Sequence, residues 1–185
     1  MTRAWNIFER WINHEVVAVC EDVNSPLAEF HLRRLAWRED FKNKELKMEF
    51  KNPIYVNGGF LGVLNKHKSF LESWDTAQEV IAQLVGGVEF SSFDSNGKAL
   101  SEDDNGPFAP YSRTDQDALN IAIELWDNGK VSFMGKEGMA FGPGANLMSH
   151  ALGSPKPWKI NILSNALKGK APNITHRDYW NHCAG

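Results

Sequence analysis

Three short clusters in this chain have residue types and spacings that could do chemistry: Asn57-Gly58-Gly59, Asp115-Gln116-Asp117 and His150-x-x-Gly153-x-x-Lys156-Pro157-Trp158. The third is the most specific. An imidazole can ligate a divalent metal, a glycine lets backbone approach a bulky ligand, and a lysine offers a cation to a diphosphate. Lys156 also stands just before Pro157, a residue suited to the first position of a helix, where free backbone N–H groups and the helix dipole favour anions. His150 is thus a candidate metal ligand, and Gly153, Lys156 and Trp158 are candidates for diphosphate contact.

The other two clusters also have plain structural explanations. Gly58 and Gly59 would serve a bulge in a strand. Thr114 followed three residues later by Asp117 is a variant of a capping box, and acids suit the first turn of a helix on dipole grounds alone. Capping does not demand Gln116, which makes it the residue of that cluster to test first.

The elements that must position these side chains follow from periodicity. Apolar residues spaced as on a helix predict one over 4–13, followed by a buried strand over the β-branched run 16–20. Leu27, Phe30, Leu32, Leu35 and Trp37 suggest a surface helix within 26–43. Apolar stretches at 54–56 and 60–64 read as a strand region interrupted by Asn57-Gly58-Gly59. Phe70, Trp74, Ala77, Ile81 and Leu84 mark a helix ended by Gly86-Gly87. The Ser-, Asp-, Asn-, Gly- and Pro-rich stretch, about 91–112, reads as a flexible loop. A helix opened by Thr114 carries Leu119, Ala122, Ile123 and Trp126 on one stripe. Short strands at 131–133 and 138–141 follow, then a last helix from Pro157 to Lys168-Gly169. Strands alternating with helices imply an α/β layered fold.

The chain has 185 residues with 42% hydrophobic content, enough for one ordinary core. A net charge of -3 and no Lys/Arg block argue against nucleic acid as a partner. The longest apolar runs are far shorter than the roughly 20 residues that cross a bilayer, so no membrane span is expected. The first residues lack the apolar core of a secretory signal, and two cysteines do not make a disulfide framework, so a cytoplasmic location is the default expectation. Most of the seven Trp and eleven Phe are expected to fill the core.

The run from His150 to Trp158 resembles the C-terminal signature of family 8 glycosyltransferases, the group that includes glycogenin and the bacterial lipopolysaccharide galactosyl- and glucosyltransferases. Two further segments resemble that family in the same chain order. Asn57-Gly58-Gly59 is similar to its Asn-Ala-Gly segment, which lines the donor sugar, with glycine in place of a small alanine or serine. Asp115-Gln116-Asp117 is similar to its Asp-Gln-Asp stretch, which faces the transferring sugar. The resemblance implies the C-terminal part of a GT-A-type mixed sheet flanked by helices. It also implies retaining transfer of a hexose from a UDP-sugar donor to a saccharide acceptor, with Asp115, Gln116 and Asp117 as catalytic candidates.

The family's nucleotide-binding half, ending in a strand and Asp-x-Asp, has no counterpart in 1–185, so the chain is expected to be a single partial domain. The complete enzyme would use Mn²⁺ or Mg²⁺; this chain alone is expected to bind metal weakly or not at all, because His150 lacks carboxylate partners. A half domain would leave a sheet edge or core face to pair with a second copy, so a homo-oligomer is expected. The alternative expectation is a non-catalytic carbohydrate- or protein-binding remnant that oligomerises through its sheet.

Overall fold

A continuous β-branched run has no polar face to turn to water, and Val16–Glu21 accordingly forms the central strand β1 of a three-stranded sheet ordered β2-β1-β3. The computed structural model describes residues 5–86, 110–144, 146–152 and 155–182. Strand β2, Val56–Gly62, pairs antiparallel with β1, and β3, Lys130–Met134, pairs parallel with it. The sheet is therefore mixed.

Both faces of β1 are covered. Val17 and Val19 join Val56, Phe70, Leu119, Ala122, Ile123 and Trp126 in a buried cluster beneath helices α3 (Lys68–Val85) and α4 (Thr114–Leu125). On the other face helix α1, Asn6–Ile12, brings Ile12 so close over Gly62 that a β-carbon there would lie 2.6 Å from it, and 3.3 Å from Ala18 on the paired strand. Trp11 of α1 stacks on Phe60 at 5.6 Å between ring centroids and donates its indole N–H to Ser132 Oγ at 2.8 Å, which ties the helix to both edge strands.

Helix α2, Leu32–Lys42, departs from its apolar pattern. Phe30, Leu32 and Leu35 are exposed, while Arg33, Arg34, Trp37 and Phe41 are buried. The inversion has an electrostatic cause. Arg34 pairs with the buried Glu124 of α4, and Arg33 with the buried Asp117, so the helix rolls its arginines inward to meet two carboxylates. Trp37 and Phe41 then fill a second core with Tyr55, Ala77, Ile81, Tyr111 and Ile121.

Two predicted elements are corrected. The expected strand at 138–141 is instead a short 3-10 turn, Lys136–Met139, closed by Ala140 in the left-handed region at φ 62°, a conformation that no strand contains. The expected helix from Pro157 splits into a 3-10 turn, Pro157–Lys159, and a separate helix α5, Ile162–Leu167. Asn161 causes the break, because its extended backbone and Oδ1, which accepts from Ser164 N at 2.9 Å, make it the cap of a new helix. A last helix, α6, Ile174–His182, follows. Most of the expected loop, 91–109, lies outside the described residues, and 110–113 forms a turn. Among the described residues no helix is long and apolar enough to cross a membrane.

Candidate functional site

The pairing of β2 with β1 builds the site's floor. Cys20 lies opposite Asn57, but Val19 lies opposite Leu61, so Gly58, Gly59 and Phe60 bulge out of the ladder. The bulge is glycine-dependent. A β-carbon at Gly58 would lie 3.0 Å from Asp115 Oδ2 and 3.6 Å from Gln116 Cα. One at Gly59 would lie 2.8 Å from Asn57 Oδ1 and 3.1 Å from the His150 ring. The structure thus brings together Asn57, Gly58, Gly59, Asp115, Gln116 and His150 from three distant parts of the chain.

Helix α4 is held against this bulge by side chains that bond to backbone. Asn120 Oδ1 accepts from Val56 N at 2.9 Å, and its Nδ2 donates to Val56 O at 3.0 Å and to Gln116 O at 2.8 Å. Gly58 N donates to Gln116 Oε1 at 3.2 Å. The Gln116 side chain also meets the Tyr55 hydroxyl, where its amide N–H opposes the rise in pKa that burial imposes on that phenol.

Sequence spacing did not single out Asp22 or Arg113. Asp22 follows directly on β1 and is buried; it accepts from Asn57 Nδ2 at 2.7 Å and Asn24 N at 2.9 Å, with Arg113 Nη1 3.6 Å away. The one available signal was an acidic pair, Glu21-Asp22, at the end of an apolar strand, a place where α/β folds put functional groups. Arg113 is the cap residue of α4, displacing Thr114 from that expected role.

Asp117 sits apart from the bulge. It is fully buried, with Oδ1 accepting from the Tyr55 hydroxyl at 2.6 Å and Arg33 Nη1 at 3.4 Å, and Oδ2 accepting from Arg113 N at 2.9 Å. Burial pushes its carboxyl up to about 6 against the opposing pull of Arg33, Tyr55 and Arg113. Half-buried Asp115 is also raised, chiefly by desolvation, while backbone N–H groups at the helix start oppose the shift.

The loop after β3 supplies the opposite wall. Burial lowers the pKa of His150, the nearby Lys156 cation adds to the effect, and Asp22 opposes it, so the imidazole is neutral at physiological pH. Lys156 Nζ donates to Ala151 O at 2.7 Å, so the ammonium turns back on its own loop. It precedes a three-residue 3-10 turn and gains no α-helix dipole. Trp158 is exposed and leans on Tyr179 at 5.7 Å, and Gly153 lies outside the described residues. A cleft of about 230 Å³ opens beside His150, lined also by Val23, Phe141, Leu152 and His176.

The donor set does not fit a hard divalent ion. His150 offers one imidazole, the neighbouring Asp22 carboxylate is engaged by Asn57 and Asn24, and no group of three His, Cys, Asp or Glu is placed to hold a metal among the described residues. Compared with known proteins, the chain has no significant match to any family model, curated protein or solved structure.

Proposed function

We propose that the bulge at Gly58-Gly59 and the start of α4 form a site for the hexose of a sugar nucleotide, in a GT-A-type domain built for retaining glycosyl transfer. The observation that carries this reading is Gln116: a buried amide whose oxygen accepts from Gly58 N at the glycine bulge, next to the Asp115 carboxylate and the Tyr55 hydroxyl. Sugar hydroxyls both donate and accept, and such a mixed set suits them. Asn57 is held rigid by Asp22, so its place in the site is fixed before any ligand arrives.

In the transfer, the bond from C1 to the diphosphate oxygen breaks and a bond from C1 to an acceptor oxygen forms on the same face. The acceptor's proton passes to the departing phosphate. Gln116 cannot form a stable glycosyl ester as a carboxylate nucleophile does, so its part is to hold the ring and stabilise charge near C1. Asp115 orients hydroxyls, and Asp117, with Arg33 and Tyr55 beneath, positions the helix start. Lys156 would reach a diphosphate after releasing Ala151 O.

The test is saturation-transfer NMR with UDP-glucose and UDP-galactose on this chain, a method that registers weak binding. Hexose protons are expected to receive saturation, and Gln116→Ala is expected to weaken binding about tenfold, the order of one lost hydrogen bond in a buried site. Unchanged hexose signals in Gln116→Ala, or none in the parent, would overturn the reading. Thermal unfolding of the variant serves as the fold control.

A further inference from the structure

Beyond the glycine bulge, apolar and cationic side chains gather in one segment of the chain. The segment 155–182 holds five of the chain's 20 Lys and Arg residues (Lys156, Lys159, Lys168, Lys170, Arg177) but one of its 23 acids, Asp178, in a protein of net charge -3. Asp178 is already engaged, accepting from Asn146 Nδ2 at 3.1 Å and from Ser149 Oγ. The acidic residues therefore lie almost wholly elsewhere.

The same segment exposes large apolar side chains. Leu163 and Leu167, one turn apart on α5, are 72% and 81% exposed, and Trp158, Ile162 and Trp180 are exposed as well. Neither α5 nor α6 contains a buried residue. After α5 the chain turns at Gly169, φ 67°, and every residue from Ala166 to Asn173 is exposed, so Leu167, Lys168 and Lys170 sit together on a projecting tip.

We propose that this tip docks on an anionic phospholipid surface, with Leu163 and Leu167 entering the headgroup boundary and Lys168 and Lys170 meeting lipid phosphates. The arrangement is that of an interfacial segment: leucine and tryptophan beside lysines whose stems let the charge reach outward. Charge complementarity selects the occupant. A two-fold contact with a second copy would set this cationic segment against itself. A nucleic-acid backbone would satisfy the lysines and leave the leucines in water. An anionic bilayer accommodates both, and it repels the acidic remainder of the chain. This docking does not depend on the sugar-nucleotide reading.

The experiment is co-sedimentation of the whole chain with phosphatidylcholine vesicles, with and without phosphatidylglycerol. Phosphatidylglycerol is expected to raise binding at least about tenfold, and salt to reverse the gain. Lys168→Gln/Lys170→Gln should remove most of that gain, and Leu163→Ser/Leu167→Ser should lower binding to both vesicle types. All four side chains are solvent-exposed, so circular dichroism and the melting temperature should stay at parent values. Equal binding to the two vesicle types, or parent-like binding by both double variants, would overturn the proposal. So would a parent that ignores vesicles while the leucine variant changes its sedimentation from dimer to monomer.

Discussion

Replacing Glu124 by alanine is expected to lower the free energy of unfolding by about 3–5 kcal/mol, read as a lower urea midpoint at unchanged slope. Glu124 is buried at the end of α4 against the equally buried Arg34, with Arg38 Nε 3.8 Å from its other oxygen. Phe50 covers both guanidinium groups at 5.1 and 5.6 Å. Burial lowers the Arg34 pKa to about 10, with help from Arg38, which still leaves it charged at neutral pH. Alanine at 124 would strand that charge with a single remaining acceptor, Ile54 O at 3.3 Å. The pairing is also imperfect, since Glu124 Oε2 and Arg34 Nε have no hydrogen bond. The double variant Arg34→Met/Glu124→Leu is therefore expected to recover most of the loss, because an apolar pair of similar volume removes both desolvation costs. A double variant less stable than Glu124→Ala would show that the ion pair itself stabilises the fold.

The consequence reaches the candidate site through the geometry of α4. Asp117, Asn120 and Glu124 recur at steps of three and four, and so share one side of the helix. Each fixes α4 to a different part of the structure: Asp117 to Arg33 and Tyr55, Asn120 to the Val56 backbone, and Glu124 to Arg34. Apolar packing of Leu119, Ala122 and Ile123 on the sheet holds the helix down but leaves sliding along its axis cheap. The polar contacts set the register, and register decides whether Gln116 faces Gly58. A variant that lets α4 slip should therefore lose sugar binding together with much of the stability, whereas Gln116→Ala, which removes a single hydrogen bond from Gly58 N, should lose binding with a smaller loss of stability.

Periodicity made α1, β1, α3, α4 and β3 legible, because in each the apolar residues recur at the period of the element, although α4 also buries Gln116, Asp117, Asn120 and Glu124. It failed for α2, where burial follows ion pairing to Asp117 and Glu124, residues more than 80 positions away that no local pattern reveals. It failed again at 157–168, where a cap by Asn161 outweighed a continuous helical pattern, and at 138–141, where the backbone turns at Ala140. Of the site, the two clusters at Asn57 and Asp115 were legible as candidates, and the structure sets them side by side. Asp22 was not, because the acidic pair Glu21-Asp22 after a strand is a weak signal with no partner at a telling spacing; only folding brings Asn57 to it. Trp158 was legible as a residue type, but its exposed position against Tyr179 depends on packing that sequence spacing does not encode.

The pH dependence of stability should carry the signature of Asp117. In the unfolded chain this carboxyl titrates near its ordinary value of about 3.9, while burial in the fold raises it to about 6. Between about pH 4 and 6 the folded state keeps a proton that the unfolded state has released. Folding then takes up a proton, so this group's contribution to stability is present below the unfolded value and is lost as pH rises through the folded one. The loss amounts to at most about 3 kcal/mol, complete above pH 7 or so. Other carboxylates titrate in the same range, so the readout is the difference between the parent and Asp117→Asn, taken from urea unfolding at several pH values. That difference should shift against the parent as pH rises from about 4 to 7, whatever the fixed cost of the amide. A difference that stayed flat, or moved in the parent's favour, would mean that Arg33, Tyr55 and the Arg113 N–H outweigh burial, and that the helix start is held by a permanent carboxylate.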